Sequence, residues 1–331
     1  MYLFNFVLFC FLLGLHSVQV SAQIPVKING QINTASELIL FSSPYYSSFL
    51  ELTTDGRFEV SLIADSFPVP VSILTTKASG RVRSTSPTLW LVASENQLTL
   101  TATKKTMAYT LAPLYLDQEV SEQLENARGH TFDKLLVDHA TKLPALYMLH
   151  ARKTEISPLK LATLFSAIPP VFQEGEYGQS ITTYLAAKQF KSPKKGDKIE
   201  SFAVLTTNEA KKSIPVEHNK TRLVALLSPS CFYSFLSIDL LAQIHDHASE
   251  KVEVIAIWSD ADTQGWKPAK AEKVSQLDWM LWDPYAYTSY YFDDRISPTF
   301  LIVNQSGVVV NRLEGFGEKT IKTLSALLNT P

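Results

Sequence analysis

Cysteine is nearly absent from this chain: Cys10 and Cys231 are the two among 331 residues. Cys10 lies in an apolar N-terminal run, Met1 to Ala22, that contains no Lys or Arg. The run ends in Val20-Ser21-Ala22, small residues that suit signal peptidase, so cleavage before Gln23 is expected, with an uncleaved anchor as the competing reading. Bulky Phe9 ahead of Cys10 argues against a lipoprotein. The mature chain then owns one thiol, and Cys231 can form disulfides only with another molecule. An excess of charge is lacking too. Thirty Lys and Arg against 32 Asp and Glu give a net charge of -2, with no basic or acidic run, which leaves no electrostatic footprint for nucleic acid. His130, His139 and His150 lack metal-like spacing. No cofactor motif stands out.

What is present is enough apolar material for two or three domains: 46% hydrophobic and 19% charged residues exclude wholesale disorder. From residue 23 to 107 the pattern is one of short strands, VKINGQI, ELILFSS, FLELTTDGRFEVSLI, VPVSILTT, LWLVAS and QLTLTAT. Asn-Gly, Asp-Gly and proline-containing breaks divide them, and Asp55-Gly56 is the strongest hairpin signal. A small antiparallel β domain is expected, with Tyr45, Tyr46 and Trp90 in its core or rim.

Residues 108–190 take the period of helices and read as a connector. Ser157-Pro158 starts one helix, whose Leu161, Leu164, Phe165 and Ile168 share a face, and Pro169-Pro170 stops it. Leu143-Pro144 opens another, and Ile181, Tyr184 and Leu185 form the stripe of a third. The polar KSPKK at 191–195 marks a boundary. Beyond it, strand and helix alternate through residue 331, which indicates a sheet covered on both faces. RLVALL is a strand, Cys231 to about His247 a helix with Leu236, Leu240 and Ile244 on its buried face, and VEVIAIW the next strand. An aromatic segment from Trp279 to Phe292 follows a loop holding Trp266, and core packing is its expected role. FLIV, an Asn-Gln-Ser-Gly turn, VVVNRLEG and a closing helix around Thr320 to Leu328 complete the chain.

The centre of this last part is RLVALLSPSCFYSFL, Arg222 to Leu236, which places Cys231 where a buried strand turns into a helix. A helix N-terminus favours the thiolate form of a cysteine held there. Together with GDKIESFAVLTT, VEVIAIWSD, Ile296-Ser297-Pro298-Thr299, FLIVNQSG and VVVNRLEGFG, this order of segments resembles a thioredoxin-fold domain of the TlpA/ResA type. The resemblance spans residues 191–331. It implies an α/β thioredoxin-like C-terminal domain, preceded by a small all-β domain and an α-helical connector, as exported bacterial proteins of this type often carry. It also implies a cis Ser297-Pro298 bond beside the reactive sulfur, and residence in the periplasm or cell envelope of a Gram-negative bacterium. The departure lies in the family's Trp-Cys-x-x-Cys site, which aligns with Ser230-Cys231-Phe232-Tyr233-Ser234.

With Ser234 in place of the resolving thiol, Cys231 can attack a disulfide, and another thiol must release the mixed disulfide. The expected machinery is Cys231, Ser234 and Pro298, the Ser234 hydroxyl donating to the thiolate. Ser230, Phe232, Tyr233, Ser297 and Thr299 are expected to bind substrate, with Ser297 and Pro298 taking its backbone in an extended pairing. That arrangement suits isomerase- or reductase-like monothiol exchange on disulfide-containing or thiol-bearing envelope proteins, with a separate reductant as a further partner. It needs no cofactor. A second reading is a non-catalytic envelope module that binds a peptide or protein, with Cys231 a remnant. A third is a peroxiredoxin-like peroxidase, from the loose match of Ser228-Pro-Ser-Cys231 to Thr-x-x-Cys.

Overall fold

The computed structural model describes residues 24–33, 38–42, 47–64, 66–76, 82–102, 107–206, 210–229, 231–259 and 280–329. The expected signal peptide, Tyr45, Tyr46, Ser230, Trp266 and Trp279 lie outside them. Two compact units divide the chain, the first ending at Tyr115 and the second starting at Leu116.

The first unit consists of strands β1 (Ile24–Asn33), β2 (Leu38–Ser42), β3 (Ser47–Phe49), β4 (Arg57–Ala64), β5 (Val69–Thr76), β6 (Val82–Thr85), β7 (Leu89–Leu91), β8 (Glu95–Ala102) and β9 (Met107–Ala112). One sheet has the order β4-β1-β8-β9, the other β3-β2-β5-β6 with β7 beside β5. Alternate residues of β4 (Phe58, Val60, Leu62, Ala64) face inward and meet Ile39, Phe41 and Ile73 of the second sheet in one core. Trp90 is fully buried.

Four details depart from the sequence reading. β1 runs parallel to β8, so the domain is not purely antiparallel. The strand Met107–Ala112 carries the sheet past the boundary expected at residue 107. Asn29-Gly30 sits inside β1 instead of breaking it, because Phe58 packs over the glycine: a Cβ on Gly30 would come within 2.1 Å of that ring. The Asp55-Gly56 turn does form, with Gly56 at φ +78°, but β4 pairs with β1 and not with the strand just before the turn.

The second unit opens with helices α1 (Gln118–Asn126), α2 (Gly129–Asp138), α3 (Leu143–Ala151), α4 (Pro158–Ser166), the short α5 (Pro170–Gln173) and α6 (Glu176–Ala187). Leu161, Leu164, Phe165 and Ile168 are buried as their spacing predicts, joined by Leu146, Leu149, Ile181 and Tyr184. Pro169-Pro170 ends α4 and starts α5, since proline is tolerated in a first helical turn.

The same unit continues with β10 (Phe202–Leu205), β11 (Lys211–Ile214), β12 (Thr221–Leu227), α7 (Phe232–Ala248), β13 (Val252–Ser259), β14 (Met280–Asp283), α8 (Tyr287–Phe292), β15 (Thr299–Val303), β16 (Val309–Glu314) and α9 (Glu318–Ser325). The sheet order is β11-β10-β14-β13-β12-β15-β16. β12 and β13 are parallel, with α7 as the crossover, and β15 runs antiparallel to β12 and forms a hairpin with β16. This is the thioredoxin-like α/β arrangement expected for the C-terminal part.

β12 is apolar on both sides because both faces are covered. Leu223, Ala225 and Leu227 pack with Leu241, Ile244 and Leu324, whereas Val224 and Leu226 pack with Tyr291 and Phe292. Within this unit α6 meets α8: Tyr184 and Tyr290 stack edge-on at 5.0 Å, and Lys188 Nζ donates to the Tyr290 carbonyl at 2.8 Å. At the start of β12 the Arg222 side chain is only 1% exposed. It donates to Glu253 Oε2 at 3.0 Å and to the carbonyls of Pro215, Val216 and Glu217.

Candidate functional site

β12, an inner strand between β13 and β15, leads toward α7 from its C-terminal end. The Cys231 amide donates to the Ser228 carbonyl at 3.1 Å, and the Ser234 amide to the Cys231 carbonyl at 3.0 Å. Cys231 is therefore the N-cap of α7, with extended φ -104° and ψ 113°. The Ser234 hydroxyl is fully buried and accepts the Ser228 amide at 3.1 Å, and Ser237 Oγ donates to the Ser234 carbonyl at 2.7 Å. Ser234 thus braces the turn that carries the sulfur.

The opposite wall comes from 66 residues away. Cys231, a free and half-buried thiol, donates through Sγ to the Ser297 carbonyl at 3.1 Å. The Ser297-Pro298 bond is cis, as the sequence reading expects. Two contacts hold this loop. The Gly315 amide donates to the Pro298 carbonyl at 2.8 Å, and Thr299 Oγ1 donates to the Ile296 carbonyl at 2.8 Å. Asp294 lies beneath the loop. Burial is the largest influence on its carboxyl and raises its pKa, while the Thr299 hydroxyl, the Ile296 amide and Arg312 pull it down.

The structure thus brings Cys231, Ser234, Ser297 and Pro298 together. Phe232 and Tyr233 stand beside the thiol, 69% and 55% exposed. Thr299 does not match the substrate-binding role expected of it: its side chain is fully buried and supports the loop from behind. Ser230 lies outside the described residues.

The polarity of α7's first turns is inverted relative to the sequence reading. Leu236 was expected on the buried face, yet it is 46% exposed, and Phe235 is 42% exposed with its ring 5.1 Å from Trp258. The buried line is Ser234, Ser237, Leu241 and Ile244, at i, i+3, i+7 and i+10. Ile296, 51% exposed and next to Ser297, extends the apolar surface onto the facing loop. Sequence reasoning missed Ile296, Phe235 and Leu236 as surface residues. The available signal was the FYSFL run itself, whose large side chains cannot all be buried once Ser234 points inward.

Among the described residues, no helix is long and apolar enough to cross a membrane, and no cluster of three His, Cys, Asp or Glu could hold a metal ion.

No protein-family model matches the sequence, and no curated protein matches it. Parts of solved structures do. The chain is similar to the thioredoxin domain of a thiol-disulfide oxidoreductase from Bacteroides vulgatus (15% identity, 42% of this chain and 100% of that one, TM-score 0.36). It is similar to the exposed lipoprotein thioredoxin Etrx1 of Streptococcus pneumoniae (18%, 39% and 99%, TM-score 0.33) and to StoA of Bacillus subtilis (15%, 39% and 99%, TM-score 0.33). These likenesses leave more than half of the chain uncovered. The fold assignment rests on the strand order, the crossover helix and the placement of Cys231 against a cis proline.

Proposed function

We propose that the C-terminal part carries out thiol-disulfide exchange through the single thiol of Cys231. The observation that carries this reading is the 3.1 Å approach of Cys231 Sγ, at the N-cap of α7, to the carbonyl preceding cis Pro298. The thiolate is the attacking form in any thiol-disulfide exchange. Its sulfur bonds to one sulfur of a substrate disulfide, the substrate S–S bond breaks, and the other substrate sulfur leaves as a thiolate. A thiol of the same substrate, a small thiol or a partner protein then attacks the mixed disulfide and restores Cys231. When the substrate's own thiol does so, the outcome is isomerisation with no net electron transfer.

In this reading Ser234 braces the turn, and the Ser297 backbone pairs with an extended substrate segment once the thiol hydrogen leaves its carbonyl. The substrates are disulfide-containing or thiol-bearing proteins of a bacterial envelope, reached by export through the N-terminal segment. The test is trapping in a cell that exports the protein. Free thiols are blocked and mixed disulfides are collected with the full chain and with Cys231→Ser. Adducts in the first and none in the second are expected; an empty trap in both overturns the proposal.

A further inference from the structure

The first two turns of α7 bury hydroxyls and expose hydrocarbon. Ser234 and Ser237 are fully buried, and the Ser234 hydroxyl ties the helix to the turn before it by accepting the Ser228 amide at 3.1 Å. Phe232, Tyr233, Phe235 and Leu236 are exposed instead. Phe232 and Leu236, four residues apart, share one side of the helix, and the Phe232 and Tyr233 rings meet edge-on with centroids 5.9 Å apart. No charge interrupts this side before Asp239. The facing loop contributes exposed Ile296, next to the Ser297 carbonyl that receives the Cys231 thiol hydrogen. The sulfur thus has Phe232 next to it along the chain and Ile296 next to its hydrogen-bond acceptor.

Large apolar side chains gathered in solvent mark an interaction surface. A molecule joined through sulfur to Cys231 has to lie across this one. A polypeptide brings both a cysteine for the thiol and a backbone for the Ser297 carbonyl, whereas a lipid surface brings neither. We infer that the surface selects extended polypeptide segments with aromatic or aliphatic side chains around their cysteine. This rests on thiol exchange at Cys231 as proposed above and names its substrate class. Along an extended segment, side chains two residues from the cysteine point the same way as it does and stand about 7 Å from it. Those two positions meet Phe232 and Leu236 on one side and Ile296 on the other. Cysteines with such neighbours are buried in folded proteins and exposed in incompletely folded ones, so the substrates are chains that have not reached their native state.

The test uses full-length protein and two uncharged pentapeptides, Phe-Gly-Cys-Gly-Leu and Ser-Gly-Cys-Gly-Ser, each capped at both ends and carrying its cysteine as the thiopyridyl disulfide. Attack by Cys231 on the peptide sulfur forms the mixed disulfide and releases thiopyridone, whose absorbance gives the rate. The ratio of the two rates is divided by the same ratio measured with N-acetylcysteine, which removes the intrinsic reactivity of the peptides. Partial burial of two apolar side chains gives a preference of about tenfold for the first peptide. That preference is expected to fall to about one in the Phe232→Gln/Leu236→Gln double variant, whose altered positions are both exposed. Equal ratios in wild type and double variant overturn the inference. Binding of the first peptide, with serine replacing its cysteine, to Cys231→Ser reads the surface without thiol chemistry. Binding that depends on Phe232 and Leu236, with Cys231 inert to both peptides, upholds the surface and sinks the exchange reading. Exchange at equal rates upholds the exchange reading and sinks the surface as a selector. If the ratio is one while the double variant loses binding to phosphatidylcholine vesicles, or dissolves a wild-type dimer seen by sedimentation, the occupant is a membrane or a second copy and the inference falls.

Discussion

Acid is expected to destabilise the second unit through His150, a residue the proposed chemistry does not use. His150 lies in the last turn of α3 with Nδ1 buried and unpartnered, its ring 5.1 Å from that of Tyr177 and 6.5 Å from that of Tyr147. Burial first, and the Lys153 ammonium second, push its pKa from 6.5 down to about 3. The unfolded chain therefore takes up the proton at higher pH than the folded one. The folded state keeps its full stability above the unfolded value and loses it as pH falls from there toward 3. Between pH 7 and pH 4 that difference amounts to on the order of 3 kcal/mol, and partial solvent access to the ring reduces it to roughly 2. Replacing His150 with Phe keeps a flat ring against the two tyrosines and removes the titrating group. Urea unfolding of the full chain and of His150→Phe, followed by tryptophan fluorescence across that pH range, measures the effect. Wild type is expected to lose roughly 2 kcal/mol more than the variant. Parallel losses would refute the reasoning, because they would mean that the imidazole finds a proton as easily folded as unfolded.

Lys153, 7% exposed and lacking a carboxylate partner among the described residues, has its pKa pushed down by burial to about 8. Its penalty is complete below that pH and disappears above the unfolded value, so Lys153→Met should stabilise the protein at pH 7 by roughly 1–3 kcal/mol. That gain should fade by strongly alkaline pH, and a pH-independent gain would exclude titration as its source. Arg222→Ala leaves Glu253 and three backbone carbonyls without their common donor. A loss of about 3–5 kcal/mol in urea unfolding is expected, and a loss below about 1 would show that water replaces the guanidinium. Gly30→Leu drives a side chain into the Phe58 ring and should cost about 1–3 kcal/mol. An unchanged unfolding midpoint would show that Phe58 swings away freely.

Much of the fold could be read from short stretches of sequence. Alternation in FEVSLI and QLTLTA, the proline-started helices and the strand-turn-helix at Cys231 are signals contained within about ten residues. The aromatic segment was less transparent. Met280–Asp283 is a buried strand and Tyr287–Phe292 a short helix, but an apolar run with no clear period cannot announce a change from one to the other. Asp283 makes that change, since its buried carboxylate accepts the amides of Tyr287 and Thr288. Lys211–Ile214 also went unread as a strand, because KKSI has little apolar character and is defined by its pairing with Phe202–Leu205.

The amino-acid order alone determined that this chain has one thiol beyond its leading apolar run, and that the thiol begins a helix after a buried strand. It also marked a proline that the resemblance made cis. Those properties follow from composition and from neighbours a few residues apart. Tertiary structure decided what faces the sulfur, because the Ser297 carbonyl lies 66 positions away and reaches Cys231 only through the pairing of β12 with β15. The same pairing turned Thr299 inward, and packing of α7 on its sheet sent two serines into the core and left Phe232, Tyr233 and Leu236 in solvent. Which side of α7 is buried depends on the surface it meets, and a first turn that is apolar on both faces does not say which.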